Sequence, residues 1–210
     1  MIKVETNYDD WANKAQAGEL DFHKKSTFRK DGSINKETEA LLGREFGFSP
    51  LEFAGKTVLD AGCGSVLRSK FFDGSHIIAI DPLIDEFLKL EWNDLHEASV
   101  LLSIPLEQYM EDFAETADFI MSINVLDHCY DFGACIKNLH HYLKDDGKCF
   151  LSFDVHEDGV GLDDMHPLNL NNEICTDIFL DAGFWISDYT RRKAYGGGQY
   201  ALNYWLTKNV

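Results

Sequence analysis

The chain has 210 residues, 45% of them hydrophobic and 13% aromatic, enough for one domain with a sizeable core. No stretch approaches the roughly 18 uninterrupted apolar residues of a membrane span, and the N-terminus lacks a signal peptide's apolar core, so a cytoplasmic protein with no membrane partner is expected. A formal charge of −17 repels phosphate backbones, and the only basic groups, around Lys24–Lys30 and at Arg191–Lys193, are short, which disfavours nucleic acid.

Residues 1–48 read as a helical cap on the same domain. Tyr8 to Leu20 carries Trp11, Ala12 and Ala15 near helical spacing, and Asp31-Gly32-Ser33 is a turn. A second helix is predicted from Asn35, as its cap, to Phe46. The remaining domain, residues 49–210, opens with a short aliphatic strand, Thr57–Leu59, that runs into Asp60-Ala61-Gly62-Cys63-Gly64-Ser65. Glycines there permit a tight turn and let a ligand approach main-chain amides. A short helix over 66–72 and a strand, His76–Ile80, lead to Asp81. A carboxylate ending the second strand is placed to accept hydrogen bonds from ribose hydroxyls. The dinucleotide pattern is incomplete, because its third glycine position is Leu67. Asp60, directly before the glycines, suits a cation better than a pyrophosphate.

Next come a helix over 84–96, a strand Ser99–Leu102, a strand Ala117–Ile123 with the tip Asn124-Val125-Leu126-Asp127-His128, and a helix Phe132–Leu143. A strand Lys148–Phe153, a polar loop over 154–167, a helix capped by Asn171 or Asn169, and two final strands, Phe184–Tyr189 and Tyr200–Thr207, complete the chain. Gly196, Gly197 and Gly198 make the last connection mobile or sharply turned. Five scattered cysteines with no C-x-x-C pair argue for reduced thiols.

The Asp-x-Gly-x-Gly turn followed by a strand-end acid resembles the class I S-adenosylmethionine-dependent methyltransferases. The block from Ala117 to Phe153 is similar to their fourth and fifth strands. The resemblance implies an α/β, Rossmann-like, doubly wound and mostly parallel seven-stranded sheet with an antiparallel last strand. It implies S-adenosyl-L-methionine as cofactor, S-adenosyl-L-homocysteine as product, and in-line methyl transfer to an O or N nucleophile. Asp60, Gly62, Cys63, Gly64, Asp81, Pro82, Leu106 and Asn124 are then the expected cofactor contacts, with Cys63 a small packing residue. The tip departs from the Asn/Asp-Pro-Pro-Tyr/Phe of nucleic-acid amino methyltransferases, which favours a small, neutral or cation-tolerant acceptor.

Transfer from a sulfonium needs a base only where the acceptor must lose a proton. His128 and His166 are the candidates, with Asp127 to orient or accept; His166 is equally a loop histidine bonded to main chain. Trp11, His23 and Arg191 are candidate substrate contacts, against the plainer readings of a helix anchor, a surface histidine and a solvated hairpin end. A divalent cation could be assembled on paper from His156, Asp163, Asp164 and His166, but acidic loops are common in so acidic a chain and no metal is expected. A non-catalytic cofactor-binding or regulatory domain is the alternative function.

Overall fold

The computed structural model describes residues 3–156, 161–196 and 198–209. Seven strands form one sheet: β1 Thr57–Ala61, β2 His76–Ile80, β3 Val100–Leu102, β4 Ala117–Ile123, β5 Leu143–Val155, β6 Phe184–Arg192 and β7 Tyr200–Lys208. Their spatial order is β3-β2-β1-β4-β5-β7-β6. The β3–β2, β2–β1, β1–β4 and β4–β5 pairs are parallel, and β7 runs antiparallel to both β5 and β6. The last strand in sequence is therefore the antiparallel one, as the resemblance implies, and it inserts between β5 and β6.

The strand sequences explain this arrangement. β1, β2 and β4 are almost wholly buried, which is why they read as unbroken aliphatic runs. Alternation within each run sends side chains to two cores. Leu59, Ile120, Leu151 and Phe153 meet the helices Phe132–Tyr142 and Asn172–Asp181. On the opposite face Val58, Phe119, Met121 and Phe150 pack with Leu41, Leu42, Phe53 and Phe72. Phe53 stacks on Phe119 with ring centroids 4.1 Å apart.

Caps fix several helix starts. Asp131 accepts the amide of Ala134, and Asn171, rather than Asn169, accepts that of Ile174. Two predicted helices are shorter in the structure. The one over 84–96 is only Ile84–Phe87, because the Asn93 side chain bonds the Leu90 carbonyl and the Leu95 amide and turns the chain out of the helix. The helix over 66–72 is reduced to a 3-10 turn, Arg68–Phe71, since Leu67 adopts a left-handed φ of 45°. The second N-terminal helix starts at Ser33, after Gly32 at φ 73°, and not at Asn35. Of the polar loop, residues 157–160 lie outside the described residues, as does Gly197. Among the described residues no helix is long and apolar enough to cross a membrane.

On top of the sheet, residues 8–25 form a continuous helical lid: Tyr8–Asp10, a π-helical turn Trp11–Ala15, and Gln16–Lys25. The chain leaves β1 toward β2 on one side and returns as β4 on the other. That reversal opens a crevice beyond the carboxyl ends of β1 and β4, and the lid lies across it.

Candidate active site

The crevice floor is the turn after β1. The amides of Gly62 and Cys63 both reach the Ile80 carbonyl, at 2.7 and 3.2 Å, pulling the turn against β2. Gly62 (φ 79°) and Gly64 (φ 60°) adopt left-handed backbone. A Cβ on Gly62 would overlap the Val125 side chain of the β4 tip, so its bareness serves packing. Asp81 accepts the amides of Gly64 (3.0 Å) and Leu83 (2.9 Å), and Asp60 accepts that of Ser69 at 3.1 Å. Burial pushes both carboxyls up to about 6, against the pull of those hydrogen bonds. Both line a cavity of about 480 Å³.

The lid seats on this floor through named contacts. Trp11 Nε1 donates to the His128 carbonyl at 2.8 Å. The His23 ring stacks on Phe87 at 4.4 Å, and its Nδ1 lies 2.7 Å from Ser65 Oγ. Burial pushes His23 down to about 3, so the ring is neutral near pH 7. Arg29, also facing the cavity, is pushed down to about 10 by burial and then by the Arg68 guanidinium. Its Nε is buried without a hydrogen-bond partner.

At the β4 tip Asn124 takes φ 59°, turning the chain so that Asp127 enters the core and His128 faces the cavity. Asp127 is fully buried, with Oδ2 at 3.3 Å from His156 Nε2 and 3.7 Å from His128 Nε2. His128 Nδ1 lies 2.9 Å from Glu19 Oε1 of the lid. Burial alone would lower His128, but Asp127 and Glu19 outweigh it and raise the imidazole to about 9. Burial would raise Asp127 and Glu19; the neighbouring imidazoles, His128 foremost, hold each net below its ordinary range. His166 stacks obliquely on His128 at 4.4 Å, with its Nδ1 2.9 Å from Asp163 Oδ1.

A family model described as a methyltransferase domain matches residues 34–175, from the second N-terminal helix to the start of the last one. The chain belongs to this methyltransferase family. Its sheet order is that of the class I S-adenosylmethionine-dependent members. Among solved structures, the methyltransferase fold is shared with the 1,6-didemethyltoxoflavin N1-methyltransferase of Burkholderia thailandensis (TM-score 0.62, 19% identity, 96% of this chain and 87% of that one). It is shared also with an S-adenosylmethionine-dependent methyltransferase from Aquifex aeolicus (TM-score 0.58, 18% identity, 90% of this chain and 96% of that one). In sequence the methyltransferase is 30% identical over 107 residues to the mitochondrial ubiquinone biosynthesis O-methyltransferase of Bos taurus. That match covers 47% of this chain and spans 29% of the length of the bovine protein.

Of the residues singled out in sequence, Asp60, Gly62, Cys63, Gly64, Asp81, Pro82, Leu106, Asn124, His128, His166, Trp11 and His23 all line the methyltransferase's crevice. Asp127 lies behind it, and Arg191 is elsewhere. It is exposed on β6, its guanidinium 3.5 Å over the Tyr200 ring, because it faces outward at the sheet's edge. Cys63 is buried and free, and burial keeps its thiol well above the ordinary range. Of the paper metal set, His166 and His156 approach Asp127 and His128, while Asp164 is exposed. The glycine connection is gathered rather than loose: the Asp154 carboxylate accepts the amides of Tyr195, Gly196 and Gly198.

Sequence reasoning missed Glu19, Arg29 and Arg68. For Glu19 a signal was present: Trp11, Ala15, Glu19 and His23 recur every fourth residue, so an acid lies on the buried stripe. Arg29 and Arg68 carry no local pattern that separates them from solvated arginines.

Proposed function

We propose that this methyltransferase moves a methyl group from S-adenosylmethionine to the oxygen of a small, polar acceptor enclosed beneath the lid. The observation that carries the reading is the lidded crevice. A cavity of about 480 Å³, partly roofed by buried Trp11 and His23, is of a size for small molecules. An oxygen acceptor is supported by the likeness to the bovine O-methyltransferase.

The residues present fit the cofactor. Its methionine end carries an ammonium and a carboxylate; Asp60 supplies a buried anion for the first. Arg29, with its orphaned buried Nε, supplies a cation for the second. Asp81 is placed for the ribose hydroxyls, and Pro82 and Leu106 offer apolar surface to a flat base. When bound, the cofactor supplies an electrophilic methyl on a good leaving group, so the protein's work is positioning and exclusion of water. The lid excludes water. Asn124 and His128 line the acceptor's approach, and His128, protonated near pH 7, donates a hydrogen bond to an acceptor oxygen rather than taking its proton. Glu19, Glu37, Asp60, Asp81, Glu107 and Asp163 line the cavity beside Arg29 and Arg68, and that excess of carboxylates supports the neutral or cation-tolerant acceptor.

The test pairs calorimetry with S-adenosylhomocysteine and a labelled-methyl screen of hydroxyl-bearing metabolites. Micromolar product binding with label transfer to a small acceptor is expected. Binding without turnover on any pool would favour a regulatory domain, and label in a peptide or nucleic-acid pool would overturn the small-acceptor reading.

A further inference from the structure

Beneath the lid His128, His156 and His166 gather around the Asp127 carboxylate, of which only Oδ2 is engaged, by His156 at 3.3 Å. Asp127 is fully buried, yet its Oδ1 has no hydrogen-bond partner, and both ring nitrogens of His128 lack one of acceptable geometry. Such orphaned buried groups cost about 1–3 kcal/mol each unless something satisfies them. One ligand atom from each of Asp127, His128 and His166 lies within 4.8 Å of the others. The set draws on two elements, the β4 tip and the loop after β5, and two of its members line the crevice.

The surroundings hold these side chains as ligands are held. Asp163 engages His166 Nδ1 at 2.9 Å, leaving the other ring nitrogen for the cluster. Glu19 lies at His128 Nδ1 and directs Nε2 toward Asp127, while His156 contacts Asp127 Oδ2 and leaves Oδ1 clear. A carboxylate behind each imidazole is how proteins orient metal-binding histidines.

We propose that Asp127, His128 and His166 bind one divalent transition-metal ion whose remaining coordination position opens into the crevice. Two imidazoles and one carboxylate suit zinc, iron, cobalt or nickel, and disfavour magnesium and calcium, which take oxygen ligands. Ligand atoms on one such ion stand roughly 3.3 Å apart, given bonds of about 2.1 Å. The ligand atoms, within 4.8 Å of one another, reach that by closing up by at most about 1.5 Å. Binding displaces the His128 proton, so with the ion present the metal, in place of the imidazolium, meets an acceptor oxygen at the cavity wall, polarises it and promotes its deprotonation. Metal binding stands without the methyl-transfer reading; only this use of the ion rests on it.

The experiment uses the full chain, stripped with chelator and titrated with cobalt(II), followed by visible absorption and elemental analysis. One equivalent bound at micromolar or tighter affinity is expected, with a band that shifts when azide is added. His166→Gln and Asp163→Asn should each weaken binding at least about tenfold while melting like the parent. Equal uptake by parent and His166→Gln, or binding no tighter than millimolar, would overturn the site. A band indifferent to azide would overturn the open position. S-adenosylhomocysteine titrated into the stripped chain separates the two readings, since failure to bind it counts against methyl transfer and not against the metal.

Discussion

Asp81 holds the floor together before any ligand arrives, through the Gly64 and Leu83 amides. Asp81→Ala would therefore loosen the turn as well as remove a ligand contact, so Asp81→Asn is the cleaner probe. Losing a charge-assisted pair of bonds costs about 1.5–3 kcal/mol, and S-adenosylhomocysteine affinity should fall roughly ten- to a hundredfold. The pH dependence has a definite sign. In the free protein the Asp81 carboxyl lies at about 6, and ribose hydroxyl donors favour the ionised form. Affinity should rise with pH through about 6 and level off above it, with a shallower slope in Asp81→Asn; calorimetry from pH 5 to 8 reads both. Gly62 makes a different prediction. Any side chain there meets Val125 and strains a φ of 79°. Gly62→Ala should cost about 1–3 kcal/mol in thermal or denaturant melts, and adding Val125→Ala should recover the packing part while leaving the backbone part.

The lid behaves as one element because its contacts share a face. Trp11 bonds the β4 tip, Glu19 faces His128, and His23 rests on Phe87 and Ser65. His23, folded, lies at about 3, below its ordinary 6.5. Its contribution to lid closure is complete above 6.5 and is lost as pH falls from there toward 3. Hydrogen-exchange protection factors, corrected for the intrinsic rate at each pH, should fall over residues 8–30 on acidification from pH 7 to 5 more than they fall in β1 and β4. His23→Phe, which keeps the stacking on Phe87, should flatten that difference. Little of the lid was legible beforehand. Its helices and two of its inward residues follow from apolar spacing, and Glu19 shares their four-residue stripe. Arg29 carries no such signal, because the partners that bury it lie far along the chain. The aborted helices at 66–72 and 84–96 were hidden for a related reason: a left-handed Leu67 and an Asn93 side chain turned onto its own backbone outweighed apolar periodicity.

For the whole molecule the sheet was the readable part. Buried parallel strands leave long aliphatic runs, and the acid-tipped glycine turn marks the place where the order of the parallel strands reverses. Net charge speaks to partners and not to the fold. At −17, with Arg192 engaged by Glu45 and Arg191 stacked on Tyr200, no extended basic face is left for a nucleic-acid backbone among the described residues. Binding to duplex DNA or structured RNA should stay weaker than about micromolar at moderate salt; a tight, salt-sensitive complex would contradict this.

Trp11 finds its hydrogen-bond acceptor 117 residues further along the chain. At synthesis rates of about 5–20 residues per second the ribosome delivers the roof on the order of ten seconds before it delivers the wall that the roof leans on. Throughout that interval Trp11, Ala15 and His23, buried in the finished molecule, have no crevice to close and stay in contact with solvent. What is made first must settle last.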